Sequence, residues 1–157
     1  MADGKSEYEV TREAIIPAPT ADVFAYLVDF HRWTEWSPWE GIDPDLQRSY
    51  SGAPSGVGAV YEWVGNRKAG QGRMEITAAE APSRLVIALQ FVKPFKSNTT
   101  TTFTLEPRDA ASRVTWQMVG PKTFMTRLMG IFMSMDKMVG RDFEKGLAQL
   151  SEAVQKG

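Results

Sequence analysis

The chain has 157 residues, the usual length of one domain. It is 43% hydrophobic and 24% charged, with a formal net charge of −1; this is typical of a soluble globular protein and supplies no positive field for nucleic acid. With no Cys and one His, it offers no thiol nucleophile, disulfide, thiolate zinc site or multi-His metal site of its own. We therefore expect neither a metal nor another cofactor.

The sequence carries no targeting or membrane-spanning pattern. Residues 1–9 are polar and lack a signal-peptide pattern. No stretch reaches the ~18–20 uncharged apolar residues of a membrane span, since charged residues interrupt the most apolar segment, Phe124 to Gly140. We expect a single domain over residues 1–157, located in the cytoplasm and without stable insertion into a membrane.

The first 36 residues predict one strand and two short helices. Tyr8 to Ile16 is rich in β-branched residues and ends at Pro17, which predicts a first strand. Thr20 suits a helix N-cap, and the apolar spacing from Ala21 to Val28 predicts a short helix. A second short helical segment is expected at about Phe30 to Trp36.

From Asp45 to Gly120 the pattern changes to alternation with a period of two, which predicts six further strands. Short connections between them, including a turn that begins at Gly65-Asn66, predict an antiparallel meander with one buried side. The predicted strands centre on Leu46–Tyr50, Ala59–Val64, Met74–Ile76, Leu85–Val92, Thr99–Leu105 and Val114–Met118.

A long helical pattern closes the chain, from Lys122 to Gln155. One straight helix of that length would span roughly 50 Å at about 1.5 Å per residue, which exceeds the diameter of the domain. We therefore expect a bend or break near Gly130. Because one helix cannot cover a seven-stranded sheet, part of the buried face should remain open as a cavity.

Seven segments carry a resemblance to a known superfamily: Ile15–Pro19, Val23-Phe24, Trp33–Trp39, Gly58–Trp63, Phe103–Pro107, Val114–Trp116 and Met135–Leu147. With them the chain resembles the START-like helix-grip superfamily, most closely its bacterial polyketide cyclase-like (SRPBCC) branch. The resemblance implies an α+β helix-grip fold, in which a curved seven-stranded antiparallel sheet wraps a long C-terminal helix and two short helices follow strand 1. It leaves the function open, because the superfamily includes lipid carriers, hormone receptors, cyclases and co-chaperones.

Large soft side chains cluster where the cavity is expected. Six of the eight methionines lie between Met118 and Met138; methionine suits a wall that adapts to several ligands, although ordinary core packing explains it as well. Trp33, Trp36 and Trp39 recur every three residues. They are expected either to roof the cavity, with indole N–H groups available to a ligand, or to plug the space between the short helices and the sheet.

Three polar residues are weighed individually. Tyr61 is the first candidate for a hydrogen bond to a ligand, the alternative being a core tyrosine bonded to backbone or water. Asp136 lies near the apolar stripe of the last helix, where it would anchor a polar ligand group, act as a general base, or pair with Arg48 or Arg12. His31 is interpreted as a partly exposed helix residue, because no nucleophile-elbow sequence accompanies it.

The predicted ligand-binding residues are those expected to face the cavity. They are Trp36, Trp39, Arg48, Tyr61, Trp63, Met74, Leu89, Phe103, Trp116, Met118, Phe132, Met135, Asp136 and Val139. No catalytic residue is assigned, and Tyr61 and Asp136 are the two candidates for acid–base chemistry.

Three functions remain as hypotheses. The favoured one is binding or transport of a hydrophobic small molecule, such as a lipid, an isoprenoid or a polyketide-like compound. The second is a polyketide cyclase or dehydratase in which Tyr61, Asp136 and Arg48 orient the substrate and move protons. The third is an interaction module whose segment 122–140 lies on a membrane or a partner protein. The expected partner is thus a small molecule and not nucleic acid, and a homodimer stays open.

Overall fold

A computed structural model describes residues 7–93, 96–121 and 135–157. Strand β1 (Glu7–Ile16) is followed by helix α1 (Thr20–Leu27) and a 3₁₀ helix (Phe30–Glu35), and helix α2 (Met135–Lys156) comes last. Between them lie β2 (Gln47–Gly52), β3 (Ala59–Val64), β4 (Gln71–Glu80), β5 (Arg84–Lys93), β6 (Ser97–Arg108) and β7 (Ala111–Pro121).

The seven strands form one antiparallel sheet in the order β1-β7-β6-β5-β4-β3-β2. Strands β2 to β7 pair consecutively, as the short connections predict, and β1 pairs with β7 to form one edge of the sheet. Irregularities in the β4–β5 register between Gln71 and Gly72 and between Ile76 and Ala78 bend and twist the sheet locally. The predicted α+β helix-grip fold, with a curved sheet against a C-terminal helix, is confirmed.

The buried face of the sheet, called the inner face below, follows from the alternation of side chains along the strands, which is most regular on β7. On β7 every second residue is buried, from Ser112 to Gly120. Helix α2 packs against this face with Phe143, Leu147 and Leu150, which are all nearly inaccessible to solvent. Their spacing of four and three residues gives α2 one apolar stripe.

One local prediction is wrong. Thr20 does not cap α1 but is its first residue, and Pro19 occupies the N-cap position without a side-chain hydrogen bond. The Pro19 carbonyl accepts hydrogen bonds from the backbone N–H groups of Asp22 and Val23. Proline suits this position because its ring fixes φ, here −62°, and its missing N–H is not needed.

The predicted bend near Gly130 lies outside the described residues. Within the ranges that the structure does describe, no helix is both long and apolar enough to cross a membrane.

Candidate ligand-binding site

One end of the inner face is filled by a tightly packed aromatic group. The Phe143 ring of α2 stacks on the indole of Trp116, with ring centroids 4.0 Å apart and an interplanar angle of 6°. Phe103 and Trp36 pack around the same indole at 4.9 and 5.5 Å. All four side chains are at most 2% exposed. The predicted ligand residues Trp36, Phe103 and Trp116 therefore lie in this packed end.

The tryptophans of the predicted roof use their indole N–H groups inside the protein. Trp36 donates to the carbonyl of Tyr26 at 3.3 Å, and Trp33 donates to the carbonyl of Leu27 at 2.9 Å. Tyr26 and Leu27 end α1, where backbone carbonyls lack partners within the helix. Trp39, which is 38% exposed, donates to a carboxylate on α2. Of the two alternatives for these tryptophans, the one in which their N–H groups are available to a ligand is therefore wrong.

The other end of the inner face carries a row of partly buried side chains. Strand register places Tyr50 opposite Tyr61, Tyr61 opposite Met74, and Met74 opposite Leu89. All four pack against the core without being fully buried. This set, called the apolar row below, contains three of the predicted ligand residues side by side: Tyr61, Met74 and Leu89.

Aromatic rings flank the apolar row. Trp63 stacks on Tyr61 with centroids 6.0 Å apart, and Phe91 meets Trp63 edge-on at 6.2 Å. The Trp63 ring lies directly over Gly72, where a Cβ atom would approach its Cζ2 atom to 2.7 Å. Only glycine permits this close approach. The Trp63 indole N–H donates to the carbonyl of Ala69 at 2.9 Å, so its contribution to a site is apolar surface.

A charged pair lies beside the hydroxyl of Tyr61. Arg48, on edge strand β2, forms an ion pair with Glu40, and both side chains are less than one-third exposed. Burial raises the pKa of Tyr61 to about 12, an effect opposed by the positive charge of Arg48 and by its hydrogen bond to the tyrosine. The structure therefore brings Arg48 and Tyr61 together.

The two arginines expected as partners of Asp136 each pair with a glutamate among the described residues. Arg48 pairs with Glu40, and the Arg12 Nε atom lies 2.9 Å from Oε2 of Glu144 on α2. The side chain of Asp136 lies outside the described part of the chain.

Four further predicted site residues have separate outcomes. Met118 is 5% exposed and belongs to the core. Val139 is partly buried and packs against the core. The side chains of Phe132 and Met135 fall outside the described residues.

His31 lies next to the apolar row, which the sequence did not indicate. Its ring stacks on Tyr50 at 4.1 Å, and its Nδ1 atom lies 2.9 Å from Oδ1 of Asp29. Its side chain is 55% exposed, in agreement with the predicted partly exposed position. The sequence does not predict this contact, because it depends on the register of β2 with β3, which places Tyr50 next to Tyr61.

Two open depressions lie away from the apolar row. One, of about 410 Å³, lies on the outer face of β6 and β7 around Thr100, Thr102 and Gln117. The other, of about 430 Å³, lies between the 3₁₀ helix and α2, next to Glu35 and Gln149. The cavity between sheet and C-terminal helix remains a prediction.

Replacing Tyr61 with phenylalanine is expected to reduce the loss of stability at alkaline pH. The pKa of Tyr61 is raised from 10.0 to about 12 in the folded protein, so its stabilising contribution is complete below pH 10 and is lost as the pH rises to 12. Urea unfolding of wild type and Tyr61→Phe between these values measures the difference, with pH 7 as reference. If the free energy of unfolding fell equally with pH in both proteins, the pKa of Tyr61 would be the same in the folded and the unfolded chain.

Comparison with known proteins gives one family match. A family model described as polyketide cyclase / dehydrase and lipid transport matches residues 7–155. No protein with a curated description matches the sequence.

Solved structures share the fold at low sequence identity. Protein CV1439 from Chromobacterium violaceum aligns with a TM-score of 0.65 and 14% identity over 93% of this chain and 96% of its own. The Aha1 dimer from Colwellia psychrerythraea aligns with a TM-score of 0.61 and 14% identity over 94% and 96%. DynU16, from the dynemicin biosynthetic locus, aligns with a TM-score of 0.65 and 18% identity over 94% of this chain but 47% of its own, so this chain spans about half of that protein.

Proposed function

The chain belongs to the polyketide cyclase / dehydrase and lipid transport family, and from that premise we propose that it binds a hydrophobic small molecule on the inner face of its sheet. The occupant is a lipid, an isoprenoid or a polyketide-like compound, held between the apolar row and the C-terminal helix. The observation that carries the proposal is that Tyr61, Met74 and Leu89 are only partly buried, whereas the aromatic side chains around Trp116 on the same face are almost inaccessible to solvent.

The chemistry of the row suits binding by shape. Met74 and Leu89 offer apolar surface, while Trp63 and Phe91 add rings whose faces and edges accommodate flat or branched hydrocarbons. Tyr61 and Arg48 supply hydrogen-bonding groups at one end of the row, which fixes the orientation of a bound molecule. The lack of Cys and the single His leave few nucleophiles or bases and favour binding over catalysis.

The proposal is tested by native mass spectrometry of freshly purified protein, followed by titration with a panel of fatty acids, isoprenoid alcohols and aromatic polyketides. We expect either a retained mass that is lost on denaturation or saturable binding of at least one panel class. A protein that retains nothing and binds no class of the panel would contradict the proposal.

A cyclase or dehydratase is the second candidate, supported by the position of Tyr61. Its buried phenol stays protonated at neutral pH and lies beside the Arg48–Glu40 pair, so it can donate a hydrogen bond to a substrate carbonyl. An intramolecular aldol addition followed by loss of one water is the class of reaction that such donors assist. Turnover of a linear polyketide analogue by wild type, lost in Tyr61→Phe while binding persists, would favour the enzyme over the carrier.

The domain organisation, the location and the assembly of the protein are also proposals. We infer a single domain over residues 1–157, a cytoplasmic location, and self-association as an alternative assembly, supported by the dimer of the Colwellia relative. The interaction-module hypothesis concerns segment 122–140, most of which lies outside the described residues.

A further inference from the structure

Two hydroxyl groups are buried on the inner face of β6 next to the apolar row. Thr99 lies opposite Leu89 and is only 5% exposed. Its Oγ1 atom is buried without a hydrogen-bond partner among the described residues, as is the Oγ atom of Ser97, two residues earlier on the same face. Buried hydroxyl groups in native proteins nearly always have a partner, so two orphaned neighbours call for an explanation.

A third hydroxyl reaches the same place from the far edge of the sheet. Tyr8 on β1 lies opposite Gly120 on β7. A Cβ atom at Gly120 would come within 2.6 Å of Thr99 Cγ2 and within 2.8 Å of the Tyr8 hydroxyl oxygen. The absence of a side chain at Gly120 therefore lets the Tyr8 ring and Thr99 approach each other across β7.

The charge of this cluster limits what it can recognise. Leu89 and Gly120, the neighbours of Thr99, are uncharged, and burial raises the pKa of Tyr8, so its phenol remains a neutral donor. A carboxylate placed here would have to give up its hydration, and neither Leu89 nor Gly120 supplies a cation to compensate. A carbonyl or hydroxyl oxygen can accept from the same hydroxyl groups at no such cost.

We propose that the hydroxyl groups of Thr99 and Ser97, with Tyr8 beside them, form a polar subsite that binds the neutral oxygen of an otherwise apolar ligand. The inference rests on the proposed binding function and narrows its ligand class. The occupant is an apolar molecule with a carbonyl or hydroxyl group at the end that meets β6, and neither a plain hydrocarbon nor a fatty-acid carboxylate binds as well.

The test uses two probes of nearly the same shape, 1-naphthol and 1-methylnaphthalene, titrated into full-length protein by calorimetry. We expect wild type to prefer 1-naphthol and Thr99→Val to lose about three- to tenfold of that preference, the size of one hydrogen bond. Because valine keeps the shape of threonine and needs no partner, the melting temperature of ligand-free Thr99→Val should stay equal to wild type or rise.

Two variants serve as controls. Thr99→Ser retains the hydroxyl and should retain the preference, which separates loss of the hydroxyl from any disturbance of packing. Thr104→Val makes the same chemical change on the same strand but on its outer face, where Thr104 is half-buried, and should change neither the preference nor the melting temperature.

The outcomes distinguish this inference from the function on which it rests. If wild type binds neither these probes nor any class of the lipid and polyketide panel, the proposed binding function fails and the subsite fails with it. If it binds a class of the panel but does not prefer 1-naphthol to 1-methylnaphthalene, binding stands and the subsite is overturned. If it binds both probes and Thr99→Val leaves their ratio unchanged, binding stands and the subsite is overturned. A lower melting temperature in Thr99→Val with an unchanged ratio would show that the hydroxyl has a structural partner.

Discussion

Replacing Phe143 with alanine is expected to lower the free energy of unfolding by about 3–5 kcal/mol. The ring is 1% exposed and stacks on Trp116 at 4.0 Å, so its removal leaves a void against a rigid indole that cannot collapse into it. Trp39 also meets Phe143 edge-on at 6.3 Å. This aromatic contact joins α2 to the sheet, and a domain stable by roughly 5–15 kcal/mol would lose a large part of its stability.

Urea unfolding measures the change, with two controls from the same helix. Phe143→Leu keeps most of the apolar volume and should lose much less than the alanine variant. Lys145→Ala alters an exposed residue two positions away and should stay within about 0.5 kcal/mol of wild type. A Phe143→Ala loss as small as that of Lys145→Ala would mean that α2 does not dock through this ring.

Much of the architecture follows from local sequence patterns, because burial repeats with a period of two along β1, β6 and β7. The alternation is unbroken on β7 and extends from Ser97 to Leu105 on β6, so both the existence of these strands and their inward faces could be predicted. The first residue of α1 was harder to predict, since Pro19 and Thr20 are both acceptable near a helix N-terminus. The spacing of the tryptophans indicated a cluster but not that Trp33 and Trp36 satisfy the last carbonyls of α1.

The candidate site could be predicted only in part, because its members come from distant segments. Tyr61 follows from alternation on β3 together with a hydroxyl in an apolar setting. The hydroxyl cluster does not, since Tyr8 meets Thr99 only through the pairing of β1 with β7. Register between strands more than one hundred residues apart is fixed by the whole sheet and not by local pattern. The run of threonines from Thr99 to Thr102 is one available signal. It indicates that alternate hydroxyl groups lie on the inner face of β6, but not which residues lie next to them.

Replacing Leu89 with tryptophan is expected to weaken binding of the apolar fluorescent probe Nile red by at least about tenfold, or ~1.4 kcal/mol. Leu89 is the last residue of the apolar row, between Met74 and Thr99. A larger side chain there occupies the volume that the proposed ligand would take. Leu89→Ala enlarges the same space and should bind the probe at least as well as wild type.

Gln90→Trp is the matched control, because Gln90 is the next residue of β5 and its exposed side chain points to the outer face. It adds the same ring to the protein without entering the inner face, and Nile red binding should be unchanged. An equal loss of binding in Leu89→Trp and Gln90→Trp, or full binding in Leu89→Trp, would mean that the probe does not bind at the apolar row.

The stability of Leu89→Trp distinguishes an open inner face from one that side chains already fill. Forcing a larger residue into a packed core costs about 1–3 kcal/mol, whereas a ring that enters open space buries apolar surface at little cost. Loss of the probe with nearly unchanged unfolding free energy therefore identifies an accommodating space beside Tyr61 and Met74. Loss of both would mean that the row is ordinary core, and the binding function would then have to reside in another part of the molecule.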